Sequence, residues 1–388
     1  KNSTPIWFVE DGKIAKLKKD LPVGALDWAK SNGFEGKPGS VLCIPDQKGG
    51  VAAALFGIKS GNYFECGKLS RLLPAGNYHL AQSHENAQEI CLGFALGSYG
   101  FDTYKKVADR KVRLAWPNTI DRAKLQREIE ATFLVRDLIN TPTNDMGPNE
   151  LEGDFRKLAT RFKAKVNVIK GNDLLKKNFP MIHAVGRASA DAPRLLDMKW
   201  GKAKDPKITL VGKGVCFDTG GLNIKPGGSM TLMKKDMGGA ANVLGLALMI
   251  MAANLPVRLR VLIPAVENSI SANAFRPGDI LPSRKGISVE IGNTDAEGRL
   301  VLGDALAYGD EENPDLMIDM ATLTGAARVA LGPDLPPFYT DDEKLAAGIT
   351  KASENTIDPL WRMPLWEPYD SMLNSKIADT NHITAGGF

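Results

Sequence analysis

The 388-residue chain is poor in the two side chains that most often bind zinc, with four histidines and four cysteines. Cys43, Cys66, Cys91 and Cys216 lie far apart and form no C-x-x-C pair. That excludes a disulfide framework and a thiolate zinc site, and it fits reduced thiols in a cytoplasm. No H-E-x-x-H stretch occurs, so a two-histidine zinc-protease helix is excluded as well. Neither sign of charge dominates: Lys+Arg 49 against Asp+Glu 45 leaves a formal +4. This is too mild for a protein whose main work is neutralising phosphates, and no basic run interleaved with aromatics marks a nucleic-acid face. The start, Lys-Asn-Ser-Thr-Pro-Ile-Trp-Phe, lacks the basic-then-apolar order of a signal peptide and does not begin with Met. A missing initial stretch is therefore expected, and secretion is not. One uncharged run, 237–257, is about as long as a bilayer-spanning helix. It carries Gly238, Gly239, Asn242, Gly245, Asn254 and Pro256, and it reads instead as a helix buried on most sides of an α/β domain, with no membrane partner.

What remains is a globular composition, 43% hydrophobic and 24% charged, which excludes wholesale disorder. At roughly 100–200 residues per domain the length predicts two domains. Residues 1–115 combine apolar runs at 40–45 and 51–58 with Gly/Pro punctuation and a helical pattern over 83–96, a small N-terminal α/β domain. His79 and His84 in this part read as surface residues. Residues 116–145 hold a connecting helix and the boundary: Leu125, Ile129, Phe133 and Leu134 share one stripe, and Asn140-Thr-Pro-Thr-Asn144 stops it. Over 146–388, strands at 166–169, 208–211, 259–264 and 316–320 alternate with helices at 150–163, 238–253 and 300–311. The expected fold is α/β, a larger domain with a mostly parallel central sheet covered by helices on both faces.

In such sheets chemistry gathers where strands end. Three strand ends carry unusual residues: Lys213 to Lys225 with Asp218 between them, Asp295 to Arg299, and Asp319 to Gly325. Asp295 and Glu297, two apart in a segment expected to be extended, point to one side and repel unless something positive compensates. Arg299 alone does not balance four carboxylates if Asp218 and Asp236 converge there, and an oxygen-rich set suits Mg, Mn, Co or Zn. Solvated loop carboxylates are the alternative. Gly212-Lys213-Gly214 matches neither G-x-x-x-x-G-K-[ST] nor G-x-G-x-x-G. Lys213 and Lys225 lie in a Gly-rich, mostly uncharged neighbourhood, where a desolvated lysine near cations gives up its proton readily.

Asn293-Thr-Asp-Ala-Glu-Gly-Arg-Leu300 resembles the signature octapeptide of the leucyl (cytosol) aminopeptidases. The stretch 211–223, Lys225-Pro-Gly-Gly-Ser-Met, Lys234-Lys-Asp-Met-Gly-Gly-Ala and Asn140-Thr-Pro-Thr-Asn144 are similar to further motifs of that family. The resemblance covers roughly residues 120–388 and implies a two-metal exopeptidase. One divalent ion (Mn, Zn or Co) would be held by Asp218, Asp295 and Glu297, the other by a neutral Lys213 with Asp218, Asp236 and Glu297. A water bridging the ions would be the nucleophile. Lys225 would stabilise the oxyanion, and Arg299 would hold a bicarbonate that relays the proton. Met233, Asp236, Thr322, Leu323 and Gly325 would bind the substrate, a peptide with a free N-terminus and an apolar first residue such as Leu; for Met233, core packing is the alternative. The resemblance also implies a cytoplasmic homohexamer. Its members continue for several dozen residues beyond a point equivalent to Ala385-Gly-Gly-Phe388, so a catalytic part cut short at its C-terminal end is expected. Three other readings compete: a DNA-binding regulator of the same family, an inactive scaffold, and a two-metal phosphoesterase. The last usually recruits histidines, whereas His183 and His382 lie outside the motifs.

Overall fold

The structure, a computed structural model, describes residues 3–59 and 61–384; the chain end on which the expected C-terminal cut rests, 385–388, lies outside them. The chain divides into two compact units, Lys1–Phe133 and Leu134–Phe388, and the division falls inside the helix Arg122–Asn140.

The first unit is built on a five-stranded sheet in the order β2-β3-β1-β4-β5. Its strands are β1 Thr4–Glu10, β2 Val41–Pro45, β3 Val51–Ile58, β4 Gly76–Leu80 and β5 Val112–Ala115. Only β2 runs antiparallel to its neighbour. Val9, Leu21, Ala25, Ala29, Phe34, Ile44, Ala53 and Leu55 close a core on this sheet. The predicted helix at 83–96 is observed as Ala87–Gly97. His84 corrects the surface reading: it is half-buried, with its ring edge-on to Phe8 and Tyr63 and Nδ1 accepting the Asn86 N–H at 3.0 Å.

The second unit is organised by a six-stranded sheet of β6 Lys165–Lys170, β7 Arg194–Trp200, β8 Lys207–Gly212, β9 Gly214–Asp218, β10 Arg258–Asn268 and a strand Leu316–Met320. With β11 Ile280–Pro282 and β12 Ser288–Glu290 pairing in a separate small sheet, Leu316–Met320 becomes β13. The large sheet runs β13-β8-β10-β7-β6, with β9 on β10. The pairings of β8, β9, β10 and β13 are parallel, and β7 and β6 add an antiparallel edge. This is the mostly parallel sheet expected. Helices cover both faces, as consecutive residues of β8 show. Val211 belongs to the apolar cluster with Leu300, Val301 and Ala305 of the helix Glu297–Asp310. A Cβ on the next residue, Gly212, would strike Val243 and Ala240 of the helix Gly238–Ala252. Alternate strand residues point to opposite faces, so the two helices lie on opposite sides. Gly238–Ala252 is the core of the uncharged 237–257 run. It is buried as expected, and among the described residues no helix is long and apolar enough to cross a membrane.

Direction matters for the site. From β8 the chain crosses to β10, and from β10 it returns over β8 to β13. The carboxyl ends of these strands therefore meet where the connections diverge, the crevice in which open α/β sheets bind ligands.

One buried carboxylate locks the frame behind that crevice. Asp304, in the middle of Glu297–Asp310, has no exposed surface. Its Oδ2 accepts the N–H groups of Met181 (2.9 Å) and Ile182 (3.3 Å), and Oδ1 accepts that of Arg284 (2.9 Å). It thus caps the first turn of the helix Pro180–Gly186, whose amides have no partners within their own helix. Burial pushes its pKa up to about 6, although all three amides pull the other way. Replacing Asp304 with Ala leaves two buried donors and one partly buried donor unsatisfied, and a loss of about 2–4 kcal/mol in urea unfolding is expected. Because the folded-state pKa is raised, the contribution of Asp304 is fullest below the ordinary carboxylate pKa and declines as pH rises through about 6. The gap between variant and wild type should therefore be wider at acid pH than above neutrality.

Candidate functional site

Lys213 follows β8 and is pinned by its backbone: its N–H donates to Met320 O (3.0 Å) at the end of β13, and its carbonyl accepts the Ala240 N–H (2.8 Å). The strand and helix ends thus leave the side chain one direction, toward the crevice. Asp218 ends β9. Asp236 sits in the 3₁₀ turn Met233–Met237, just before the helix Gly238–Ala252. The segment 293–299 corrects the extended reading. Asn293 Oδ1 accepts the Asp295 N–H (2.8 Å), Thr294–Ala296 form a 3₁₀ turn, and Glu297 opens a helix. A tight turn, not strand alternation, brings the two carboxylates to the same place. Thr294 fastens that turn to the 219–223 loop. Its Oγ1 donates to Gly220 O (2.7 Å), and its N–H donates to Asn223 Oδ1 (2.9 Å).

The result is a buried ionic cluster. Carboxylate oxygens of Asp218, Asp236 and Glu297 lie within 4.8 Å of one another. Lys213 Nζ stands between Asp236 Oδ2 (2.7 Å) and Glu297 Oε1 (3.0 Å), and Lys225 Nζ between Asp218 Oδ2 (2.8 Å) and Asp295 Oδ1 (2.6 Å). Asp295 is the most open of the four acids, with 32% of its side chain exposed, against 1–4% for the other three. Four carboxylates face two ammonium groups, so two negative charges are uncompensated in a largely dry place. Burial accordingly raises the pKa of Glu297 to about 7 and also raises Asp236 and Asp295. Burial works against the Lys213 ammonium, yet Glu297 and Asp236 outweigh it and raise its pKa. Its neighbours thus favour the charged form of Lys213, whereas the neutral form expected is the one that would ligate an ion.

Several features fit divalent cations. The donors are hard oxygens with one amine. Asp236 Oδ2 and Asp295 Oδ1 are buried and lack a well-directed hydrogen bond despite their lysine contacts. Two divalent ions would balance four carboxylates, leaving Lys225 as a surplus positive group.

The other expected residues surround this cluster. Thr322 Oγ1 donates to Asp236 Oδ1 (2.7 Å), which ties the segment after β13 to an acid of the site. Met233 is half-buried at the start of the turn that carries Asp236. Leu323 is exposed, and its Cδ1 would lie 3.0 Å from a Cβ on Gly298, with Lys213 Nζ at 2.7 Å; no larger residue fits at Gly298 without displacing the lysine. Gly325, exposed, precedes the short helix Ala326–Leu331. Arg299 is exposed as a residue, although partial desolvation of its guanidinium lowers its pKa. Nη1 donates to His382 O (2.5 Å), and among the described residues no carboxylate forms an ion pair with it. His382, expected to lie outside the motifs, is buried against the octapeptide, with Nε2 at 2.9 Å from Asn293 O and Nδ1 at 3.1 Å from Glu290 O. Sequence reasoning does not single out Asn268, Thr294 or His382 for the site. The available sign for Asn268 is its place, with Glu267, just past the carboxyl end of the apolar run 261–266.

The sequence and the fold are similar to those of known proteins. Residues 133–387 match the description "Cytosol aminopeptidase family, catalytic domain", and residues 9–117 match an N-terminal domain of the same aminopeptidases. A probable cytosol aminopeptidase of Rhizobium meliloti (strain 1021) is 42% identical over 310 residues, 76% of this chain and 62% of that relative, which is less than two thirds of its length. One from Syntrophotalea carbinolica is 37% identical over 417 residues, 96% of this chain and 83% of the relative. Among solved structures, the cytosol aminopeptidase from Coxiella burnetii superposes with a TM-score of 0.95 at 46% identity, covering 100% of this chain and 85% of that one. The bottromycin maturation enzyme BotP in complex with Mn gives 0.88 at 31% identity, covering 99% and 86%. Family matches that take in both compact units, together with a close superposition over the whole length, establish that this chain belongs to the cytosol aminopeptidase family.

Proposed function

We propose that the chain acts as a two-metal aminopeptidase, removing the first residue of a peptide and preferring Leu or another apolar side chain. The observation that carries this reading is the charge imbalance: four converging carboxylates against two lysines, behind a crevice at the carboxyl ends of parallel strands. In this reading Asp218, Asp295 and Glu297 hold one ion, and Lys213, Asp218, Asp236 and Glu297 hold the other, Lys213 yielding its proton as ligation requires. Divalent ions of Mn, Zn or Co held there would supply Lewis acidity, making a water more acidic and polarising the scissile carbonyl. The complex of the structural neighbour BotP with Mn supports manganese as a first choice.

The chain's own groups do the rest. Lys225 carries its charge next to Asp218 and Asp295, where it stabilises negative charge growing on the carbonyl oxygen. Asp236, held by Thr322, faces the substrate's free α-amine and so restricts cleavage to the first residue. Exposed Leu323, half-buried Met233 and backbone at Gly325 provide an apolar seat for that residue's side chain. Arg299, without a carboxylate partner among the described residues, is suited to a small anion such as bicarbonate. The names of the relatives support a cytosolic location, and a homohexamer is the expected assembly. The DNA-binding and inactive-scaffold readings find no support in the comparisons.

Hydrolysis of a leucine anilide is expected to require Mn, Zn or Co and to stop on chelation; a metal-loaded chain without this activity would overturn the enzyme reading. Glu297→Gln and Asp295→Asn should each lose ion retention at one or both positions, as read by metal analysis after dialysis, and full activity in either would remove that residue from the ligand set. Lys225→Met should lower kcat by about 100- to 1000-fold while bound metal stays at the wild-type level, which separates transition-state stabilisation from ion binding.

A further inference from the structure

Asn268 is the last residue of β10, and its side chain has no exposed surface. It pairs with Asp218 across the β9–β10 ladder, directly after a register shift between Val266 and Asn268. Such an irregularity re-aims a side chain that regular alternation would send elsewhere. Here it sends the amide into the ionic cluster. Nδ2 donates to Asp218 Oδ1 (2.9 Å), to Thr294 O (3.0 Å) and, more weakly, to Glu297 Oε2 (3.4 Å). Asp218 Oδ1 also accepts the Gly220 N–H at 2.8 Å, so that oxygen is engaged twice. The opposite oxygens point the other way, Asp218 Oδ2 toward Lys225 and Glu297 Oε1 toward Lys213.

Two further facts argue against simple packing. Asn268 Oδ1 is buried without a hydrogen bond, a cost that a leucine of similar size would avoid. Room for that oxygen is also kept open from the other side. Gly221 has φ +63°, and a Cβ there would meet Asn268 Oδ1 and Thr294 Oγ1 at 2.9 Å each.

We propose that Asn268 is a positioning residue for Asp218 and Glu297, the two carboxylates assigned to both ions: its amide engages one oxygen of each and presents the other oxygen to the ions. The inference rests on the two-metal reading given above. A neutral donor suits the task, because it orders both carboxylates without neutralising them, whereas a cation in its place would compete with the ions.

The test is calorimetric titration of Mn2+ into the metal-stripped chain, comparing wild type with Asn268→Leu, which fills the space without donating, and Asn268→Ala, which folds if leucine overpacks. Both variants are expected to bind Mn2+ about 10- to 100-fold more weakly with unchanged far-UV circular dichroism. At saturating Mn2+ they should show a lower kcat for the leucine anilide with KM within about twofold of wild type, a split that a general loosening of the fold would not produce. A natively folded variant of either kind that binds Mn2+ within about twofold of wild type overturns the role of Asn268 and leaves the metal reading standing. Absence of Mn2+ uptake by wild type overturns both.

Discussion

Everything near the crevice is arranged around one electrostatic problem, how to keep Asp218, Asp236, Asp295 and Glu297 close together with little water. Carboxylates repel and resist burial, and the pKa of Glu297, raised to about 7, records the conflict. The fold answers with backbone restraint. Lys213 is clamped between Met320 and Ala240, Asp295 lies in a turn capped by Asn293, and Thr294 fastens that turn to the 219–223 loop. With each acid fixed by its own segment, repulsion cannot be relieved by moving apart. The remaining relief is positive charge, supplied in part by Lys213 and Lys225.

Other buried charges in the second unit show how different a purely structural solution looks. Arg260 makes two bonds to Asp197 (3.1 and 2.9 Å) and stacks on Tyr308. Arg194, fully buried, reaches Glu152 (2.7 Å) and Asp191 (2.5 Å). In both places the cation's donors are matched by nearby acceptors. At the crevice four carboxylates share two lysines and the match is left incomplete, which points to function more than the presence of charge does.

Much of this is legible in the sequence, for physical reasons that differ by element. The parallel strands announce themselves as apolar runs because they are covered on both faces, and the octapeptide packs Asp295, Glu297 and Arg299 into a span short enough to read directly. β7 escapes such a reading because Arg194-Leu-Leu-Asp-Met-Lys-Trp mixes charges into its pattern; Asp197 is tolerated there only through Arg260, a partner 63 residues away in sequence. The turn at 294–296 passes for an extended segment although Thr294-x-x-Glu297 has the spacing found at helix starts. Asn268 and His382 act on the site from outside every motif, through contacts that depend on strand pairing. Such contacts leave almost no trace in a single sequence.

The bond from Lys213 N–H to Met320 O has a consequence for how the protein is made. Between these two residues the chain forms Gly238–Ala252, β10 and Glu297–Asp310, so the bond closes a long segment of the second unit. Closing so long a segment carries an entropic cost that only the completed sheet offsets. The lysine that faces Asp236 and Glu297 is thus anchored by a contact that exists only once that long segment has closed.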